Sequence, residues 1–126
     1  AGHLAARQAL YGRSLRESLT VLCPPGIGPQ SIRMYETMHM GRIPVIFDGR
    51  GLLPLRRIVE YEAFCLVIPE DEIMNTGNRL RYWLAGQSAE ELRERCVLAC
   101  RTWNARFSPA KHLRLLLDEA RRLFWA

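Results

Sequence analysis

The chain has 126 residues, 48% of them hydrophobic, and a net charge of +5, which suits one globular domain with a core of its own. No apolar stretch approaches the roughly 20 residues of a membrane-spanning helix, so no transmembrane segment is predicted in this piece. Seventeen of the 18 basic residues are arginines, which favours an anionic ligand; nucleic acid is disfavoured, because no basic run is interleaved with stacking aromatic residues.

The chain begins with helical spacing over Leu4–Glu17 and continues into an apolar, β-branched run, Ser18–Cys23, which predicts a buried strand. A loop rich in glycine and proline follows. Ser31–Met40 then has helical spacing, and Gly41 is a natural stop for this helix. The side chains expected to face inward from it are those of Ile32, Met34, Tyr35 and Met38.

The same alternation continues to the end of the chain. Two more apolar runs, Ile43–Phe47 and Phe64–Pro69, predict further strands, with a short helix over Leu55–Glu62 between them. Three helical patterns follow: Glu70–Ala85, Ser88–Ala105 and Pro109–Phe124. This order predicts one α/β domain over residues 1–126, a Rossmann-like parallel sheet flanked by helices, with a helical C-terminal segment from about residue 88 to 126.

The glycine-rich loop follows the first strand, where parallel sheets bind ligands. Gly26 and Gly28 leave room for another group to approach the backbone, and the next helix begins with unpaired N–H groups. Ser31 can cap that helix or donate a hydrogen bond to an anion, and Arg33 in its first turn can pair with a phosphate. The loop is therefore interpreted as a phosphate cradle, although it lacks the Gly-Lys-Ser/Thr of a Walker A loop.

Two carboxylates near this loop each have two interpretations. Glu36 shares a helix face with Arg33, so it forms either a surface ion pair with that arginine or an acceptor for ribose hydroxyls. Asp48 ends the second strand, where it can contact a sugar or a base; turn formation with Gly49 is an equal alternative.

No metal site is predicted, because the four cysteines contain no CxxC pair and the three histidines are scattered. His39 is expected to pack or to lie on the surface rather than to act as a base. The adjacent acids Glu70, Asp71 and Glu72 are expected to favour a helix start rather than acid–base work. No residue of the sequence is assigned as catalytic.

The order of the central motifs resembles the exostosin family of glycosyltransferases. The shared pattern is a strand ending in Cys-Pro, a glycine loop, a Ser-x-Arg-x-x-Glu helix, a Gly-x-x-Pro-Val strand and a later Leu-Pro. The matching positions are Tyr11, Leu15, Ser18, Cys23, Pro24, Gly26, Gly28, Ser31, Arg33, Glu36, Gly41, Pro44, Val45, Leu53 and Pro54. The resemblance continues through Ile58–Ile73 and weakens in the C-terminal helices.

The resemblance implies a two-domain transferase of the GT-B type, whose C-terminal Rossmann-like half holds a nucleoside-diphosphate sugar. Carried onto this chain, Gly26, Gly28 and Ser31 would line the diphosphate. Arg33 would offset its charge, and Glu36 would hold the ribose. The scheme implies no metal or other cofactor. Transfer to a glycan acceptor would need an N-terminal acceptor domain, so this piece is expected to be the C-terminal part of a longer enzyme and inactive alone.

An alternative from another class is a non-catalytic interaction module on a transferase-derived scaffold. Pro25, which stands where many family members carry a basic residue, and the short length favour it. The arginine-rich composition indicates a bacterial, cytoplasmic protein; for a eukaryotic source the expectation is the Golgi lumen.

Overall fold

The computed structural model describes residues 2–26, 31–49 and 53–125. Three strands in these residues form one parallel sheet in the order β1-β2-β3: β1 Thr20–Cys23, β2 Ile43–Asp48 and β3 Leu66–Pro69. The α-helices are α1 Gly2–Glu17, α2 Ile32–His39, α3 Thr76–Ala85, α4 Ala89–Thr102 and α5 Pro109–Phe124. Shorter helical turns cover Tyr61–Ala63 and Glu70–Asn75, both 3₁₀, and Trp103–Phe107, a π-helical turn. The predicted α/β class, with a parallel sheet flanked by helices, is confirmed.

The strand register brings the loops of interest to one edge of the sheet. Cys23 at the end of β1 lies opposite Ile46, and Asp48 at the end of β2 lies opposite Pro69 at the end of β3. Because all three strands are parallel, their carboxyl ends share this edge. The segments that follow Cys23 and Asp48 both leave from it.

The larger part of the core covers one face of the sheet, and its outer layer comes from α2, α4 and the π-helical turn. Its buried members are Cys23, Met34, Met38, Ile46, Val59, Tyr61, Phe64, Cys65, Ala99 and Phe107. On the other face α3 lays Leu80 and Trp83 against a smaller cluster of Val45, Leu66 and Ile68. This two-sided burial explains why β2 is almost wholly apolar.

The inward face of α2 differs from the predicted one. Met34 and Met38 are buried as expected, and Tyr35 is half-buried, but Ile32 is 76% exposed. Thr37 takes the buried place between the two methionines, because its hydroxyl donates a 2.6 Å hydrogen bond to the Arg33 carbonyl within the helix. A polar residue can be fully buried there because its hydrogen bond is satisfied locally.

Two predicted helices were wrong in extent. The segment predicted as a helix over Leu55–Glu62 forms turns and then the 3₁₀ helix Tyr61–Ala63. Leu55, where the helix was predicted to begin, has a positive φ of 53°, which lies outside the right-handed helical region. The helix predicted from Glu70 begins as α-helix only at Thr76. The Thr76 hydroxyl bonds the Ile73 carbonyl, a side-chain bond that competes with a continuous helix.

The start of α4 was predicted correctly. The Ser88 hydroxyl accepts a 3.1 Å hydrogen bond from the Glu91 N–H, and the Glu91 carboxylate accepts one of 2.6 Å from the Ser88 N–H. This reciprocal pair is a capping box. The start of α5 at Pro109 also agrees with the sequence, although the Ser108 hydroxyl donates to the Asn104 carbonyl instead of capping the helix.

Candidate functional site

The loop between β1 and α2 is described only in part. Gly26 is exposed, and a Cβ atom added to it would meet no atom within 4 Å. The described packing therefore does not itself require a glycine at this position, and the space beside its backbone is open. Gly28, the second glycine of the predicted cradle, lies outside the described residues.

Ser31 stands at the N-cap position of α2, with an extended backbone of φ −94° and ψ 121°. Its carbonyl accepts the first helical hydrogen bond, 3.0 Å from the Met34 N–H, but its hydroxyl makes no capping hydrogen bond. The N–H groups in the first turn of an α-helix have no partner inside the helix. The start of α2 thus offers hydrogen-bond donors toward the loop that precedes it.

Arg33 lies in this first turn, and its side chain is exposed. The guanidinium carbon is 5.7 Å from the centre of the Tyr11 ring, which α1 contributes. The ion pair with Glu36 considered from the sequence does not form: within residues 2–26, 31–49 and 53–125, Arg33 has no carboxylate in salt-bridge contact. Its positive charge is available to a ligand.

Glu36 is held by α1 instead. The Tyr11 hydroxyl donates a 2.5 Å hydrogen bond to Oε2 of Glu36. Partial burial, followed by this hydrogen bond, raises the pKa of Tyr11, while the nearby Arg33 acts in the opposite direction. Tyr11 therefore stays protonated and can donate at neutral pH. Sequence reasoning named Tyr11 as part of the motif but gave it no role, because its partner lies on another helix.

Buried side chains next to Tyr11, Arg33 and Glu36 join the end of β1 to α2. Cys23 is 2% exposed, and burial raises the pKa of its thiol to about 11. Its sulfur lies 3.7 Å from the Thr37 hydroxyl, which in turn donates to the carbonyl of Arg33. Cys23 is thus a packing residue rather than a nucleophile, and it fixes the first turn of α2 against the sheet.

A cleft of about 360 Å³ opens beside Arg33, between α1 and β1. Its walls include Tyr11, Ser14, Leu15 and Leu22. The structure therefore brings two of the predicted site residues, Arg33 and Glu36, together around Tyr11. Arg33 and Tyr11 line the cleft, and Glu36 is not among its described lining residues.

Asp48 lines a different cleft, of about 470 Å³, with Gly49, Pro69, Glu70 and Asp71. The Glu70 side chain lies over Gly49 so closely that an added Cβ would be 1.8 Å from its Oε2 atom. Asp48 is half-buried at the end of β2, at the same sheet edge as the loop after β1. The described linings of the two clefts share no residue.

Other candidate groups have structural contacts. The His39 ring packs against Trp103 with 4.0 Å between ring centres and a tilt of 48°, in agreement with the packing role predicted for it. All four cysteines are free thiols. In the part of the chain that the structure describes, no three residues among His, Cys, Asp and Glu form a group that could hold a metal ion. None of the helices described is both long and apolar enough to cross a membrane.

Known proteins share the sequence pattern of this chain. The family model for the exostosin GT47 domain matches residues 2–83. A probable glucuronosyltransferase of Oryza sativa subsp. japonica is 30% identical over 63 residues, which are 50% of this chain and 15% of that protein. A probable glucuronoxylan glucuronosyltransferase of Arabidopsis thaliana is 30% identical over 76 residues, which are 60% of this chain and 17% of that protein. The match thus spans less than a fifth of the length of either relative.

Proposed function

Because the chain belongs to the exostosin GT47 family, we propose that the start of α2 binds the diphosphate of a nucleoside-diphosphate sugar. The Ser31 hydroxyl and the first-turn N–H groups would donate hydrogen bonds to the diphosphate oxygens. Gly26 and Gly28 would let the ligand approach the backbone. Every residue assigned to the donor lies within the matched segment.

The observation that carries this proposal is the position of Arg33. Its guanidinium lies at the helix start, beside open space, and has no described carboxylate partner to neutralise it. A guanidinium there can form two parallel hydrogen bonds with a phosphate, and it adds to the positive end of the helix dipole. Both effects favour an anion with more than one negative charge.

Glu36 and Asp48 would contact the rest of the donor. Tyr11 engages Oε2 of Glu36, so the lone pairs of Oε1 would accept hydrogen bonds from ribose hydroxyls. The tyrosine then acts as a positioning residue, because it fixes the carboxylate one helical turn below the phosphate site. Asp48, at the end of the neighbouring strand, would contact the sugar or the base.

The reaction proposed for the parent protein is glycosyl transfer of the GT-B type. The bond between the anomeric carbon and the phosphate oxygen breaks, and the oxygen of a glycan hydroxyl bonds to that carbon. The nucleoside diphosphate leaves with the bonding electrons, and Arg33 stabilises its charge. The base that takes the hydroxyl proton and the acceptor site would come from other parts of the parent protein, and no metal is assigned.

The relatives also bear on the choice of donor and on the compartment. Their names describe glucuronosyl transfer, which makes UDP-glucuronic acid the first donor to test. Both relatives are plant proteins, so they give the bacterial, cytoplasmic expectation no support. For a eukaryotic source we propose the Golgi lumen.

Calorimetric titration of the folded chain with UDP, GDP and their sugars tests donor binding. Arg33→Ala should remove most of the affinity, and Arg33→Lys should retain part of it, because lysine keeps the charge but not the bidentate geometry. Arg13→Ala, on the exposed surface of α1, is the matched control and should bind as the wild type does.

Absence of heat from every nucleotide, with a folded sample, would contradict the proposal. Binding to an acidic glycan or a partner protein while nucleotides are ignored would instead support the non-catalytic interaction module. Equal affinity in the wild type and in Arg33→Ala would show that the phosphate lies elsewhere.

A further inference from the structure

The last helix, α5, carries an apolar stripe along its length. The stripe follows the helical repeat, so that its side chains share one face. They are exposed to between 44% and 77%: Leu113, Leu116, Leu117, Leu123 and Phe124. No residue of α5 is buried. Contiguous exposed apolar side chains of this kind mark a surface that binds something.

The stripe lies beside the side of α5 that packs against the rest of the protein. The packed side of α5 contains Leu115 and Glu119, both half-buried, and Glu119 forms a 3.4 Å ion pair with Arg57. At 3.6 residues per turn, Leu113 and Leu117 lie about 120–160° around the helix axis from these two residues, whereas Leu116 and Leu123 lie only about 40–100° from them. The helix is therefore attached by one side and presents its apolar stripe on another.

Basic residues predominate on the rest of the helix surface. Four exposed cations, Lys111, Arg114, Arg121 and Arg122, accompany only two carboxylates. Asp118 is 3.7 Å from Arg121, and Glu119 is shared between Arg122 and Arg57. The whole chain adds to this excess, with its net charge of +5. The partner that fits this helix is apolar at depth and negatively charged at its surface.

We propose that α5 lies on the surface of an anionic phospholipid bilayer. Its leucines and Phe124 would enter the boundary between headgroups and acyl chains, while the long arginine side chains extend to the lipid phosphates. Trp125, 77% exposed beside Phe124, suits the same interfacial depth. A second copy of the chain fits less well, because pairing two α5 helices would bring like charges together. This inference goes beyond donor binding and does not depend on it.

Co-sedimentation with phosphatidylcholine vesicles, with and without phosphatidylserine, tests the proposal. The wild-type chain should bind the anionic vesicles and should dissociate as salt is raised. Leu117→Glu should weaken this binding by at least about tenfold, because it places a charge in the apolar stripe. Arg114→Ala combined with Arg121→Ala should also weaken it, by about 25-fold at roughly fivefold per arginine.

Matched controls separate α5 from the general surface. Met74→Glu adds a charge at a side chain that is 98% exposed outside α5, and Arg93→Ala removes an exposed cation from α4. Both should bind vesicles as the wild type does, and so should Arg33→Ala, which tests the donor site separately. Circular dichroism checks that each variant is folded.

Three results would overturn the proposal. The first is failure of the folded wild-type chain to bind anionic vesicles, and the second is binding that the α5 variants leave unchanged. The third is a dimer in sedimentation velocity that Leu117→Glu dissociates, since the stripe would then be covered by a second copy.

Discussion

Tyr11 and Glu36 are joined by a 2.5 Å hydrogen bond across 25 residues of sequence, and this bond ties α1 to α2. Arg33 lies over the ring of the same tyrosine. One aromatic side chain thus contacts two of the charged residues that we assign to donor binding, Arg33 and Glu36. The carboxylate and the guanidinium are held near each other without forming an ion pair.

We expect Tyr11→Phe and Glu36→Gln each to lower the free energy of unfolding by about 0.5–1.5 kcal/mol, the usual contribution of one hydrogen bond. The double variant should lose less than the sum of the two, because both changes remove the same interaction. Urea denaturation of the four proteins measures this coupling. Additive losses would indicate that the bond contributes nothing to stability.

Gly49→Ala should destabilise the protein by about 1 kcal/mol, because the new Cβ would overlap the exposed Glu70 side chain and force it to move. Gly77→Ala is the matched control: it lies in α3 with nothing within 4 Å of an added Cβ. Alanine there should stabilise the helix by about 0.5–1 kcal/mol. Thermal or urea unfolding distinguishes the two, and equal effects at both positions would contradict the placement of Glu70.

Tyr61→Phe should lower the free energy of unfolding by about 1–2 kcal/mol. The buried Tyr61 hydroxyl donates a 2.7 Å hydrogen bond to the Pro54 carbonyl, and the variant leaves that half-buried carbonyl without its donor. Tyr82→Phe, at a ring that is 86% exposed, should change stability by less than about 0.5 kcal/mol. Urea denaturation of both variants measures the difference, and a neutral Tyr61→Phe would show that the bond does not hold the Pro54 segment.

The Cys23 thiol should make stability depend on pH above 9. Burial raises its pKa from an ordinary 9.0 to about 11, so the folded protein holds this proton to higher pH than the unfolded chain does. The stability that depends on this proton is fully present below pH 9. The free energy of unfolding then falls as pH rises to about 11, by at most about 2.7 kcal/mol. Cys23→Ser and Cys23→Ala should both flatten this part of the curve of unfolding free energy against pH. An unchanged slope in both variants would contradict the assignment.

The strands could be predicted closely because local sequence determines them. Each predicted strand ends within one residue of the observed end, since the apolar runs stop at Cys23-Pro24, at Asp48-Gly49 and at Pro69. The capping box at Ser88 is equally local, because its two partners are three residues apart. Alternating strands and helices then leave few topologies other than a parallel sheet.

Features that depend on tertiary contacts could not be predicted. The partner of Glu36 lies on α1, so helical spacing alone suggested Arg33 instead. Ile32 has the hydropathy of a core residue, yet α2 turns it outward. The start of α3 at Thr76, later than predicted, depends on the hydrogen bond from the Thr76 hydroxyl to the Ile73 carbonyl. The spacing of apolar residues does not reveal such a bond. All the roles assigned toward a ligand stay predictions: those of Gly26, Gly28, Ser31, Arg33, Glu36 and Asp48.

The core also determines how much of the chain folds as a unit. The family segment ends at residue 83, but Ala99 and Phe107 complete the main cluster, and Arg95 reaches back to bond the carbonyls of Glu62 and Ala63. A chain shortened to residues 2–83 would leave Phe64 and Met38 without part of their cover. The segment that matches the family is thus shorter than the segment that builds the core, and we expect a minimal folded domain to extend at least through Phe107.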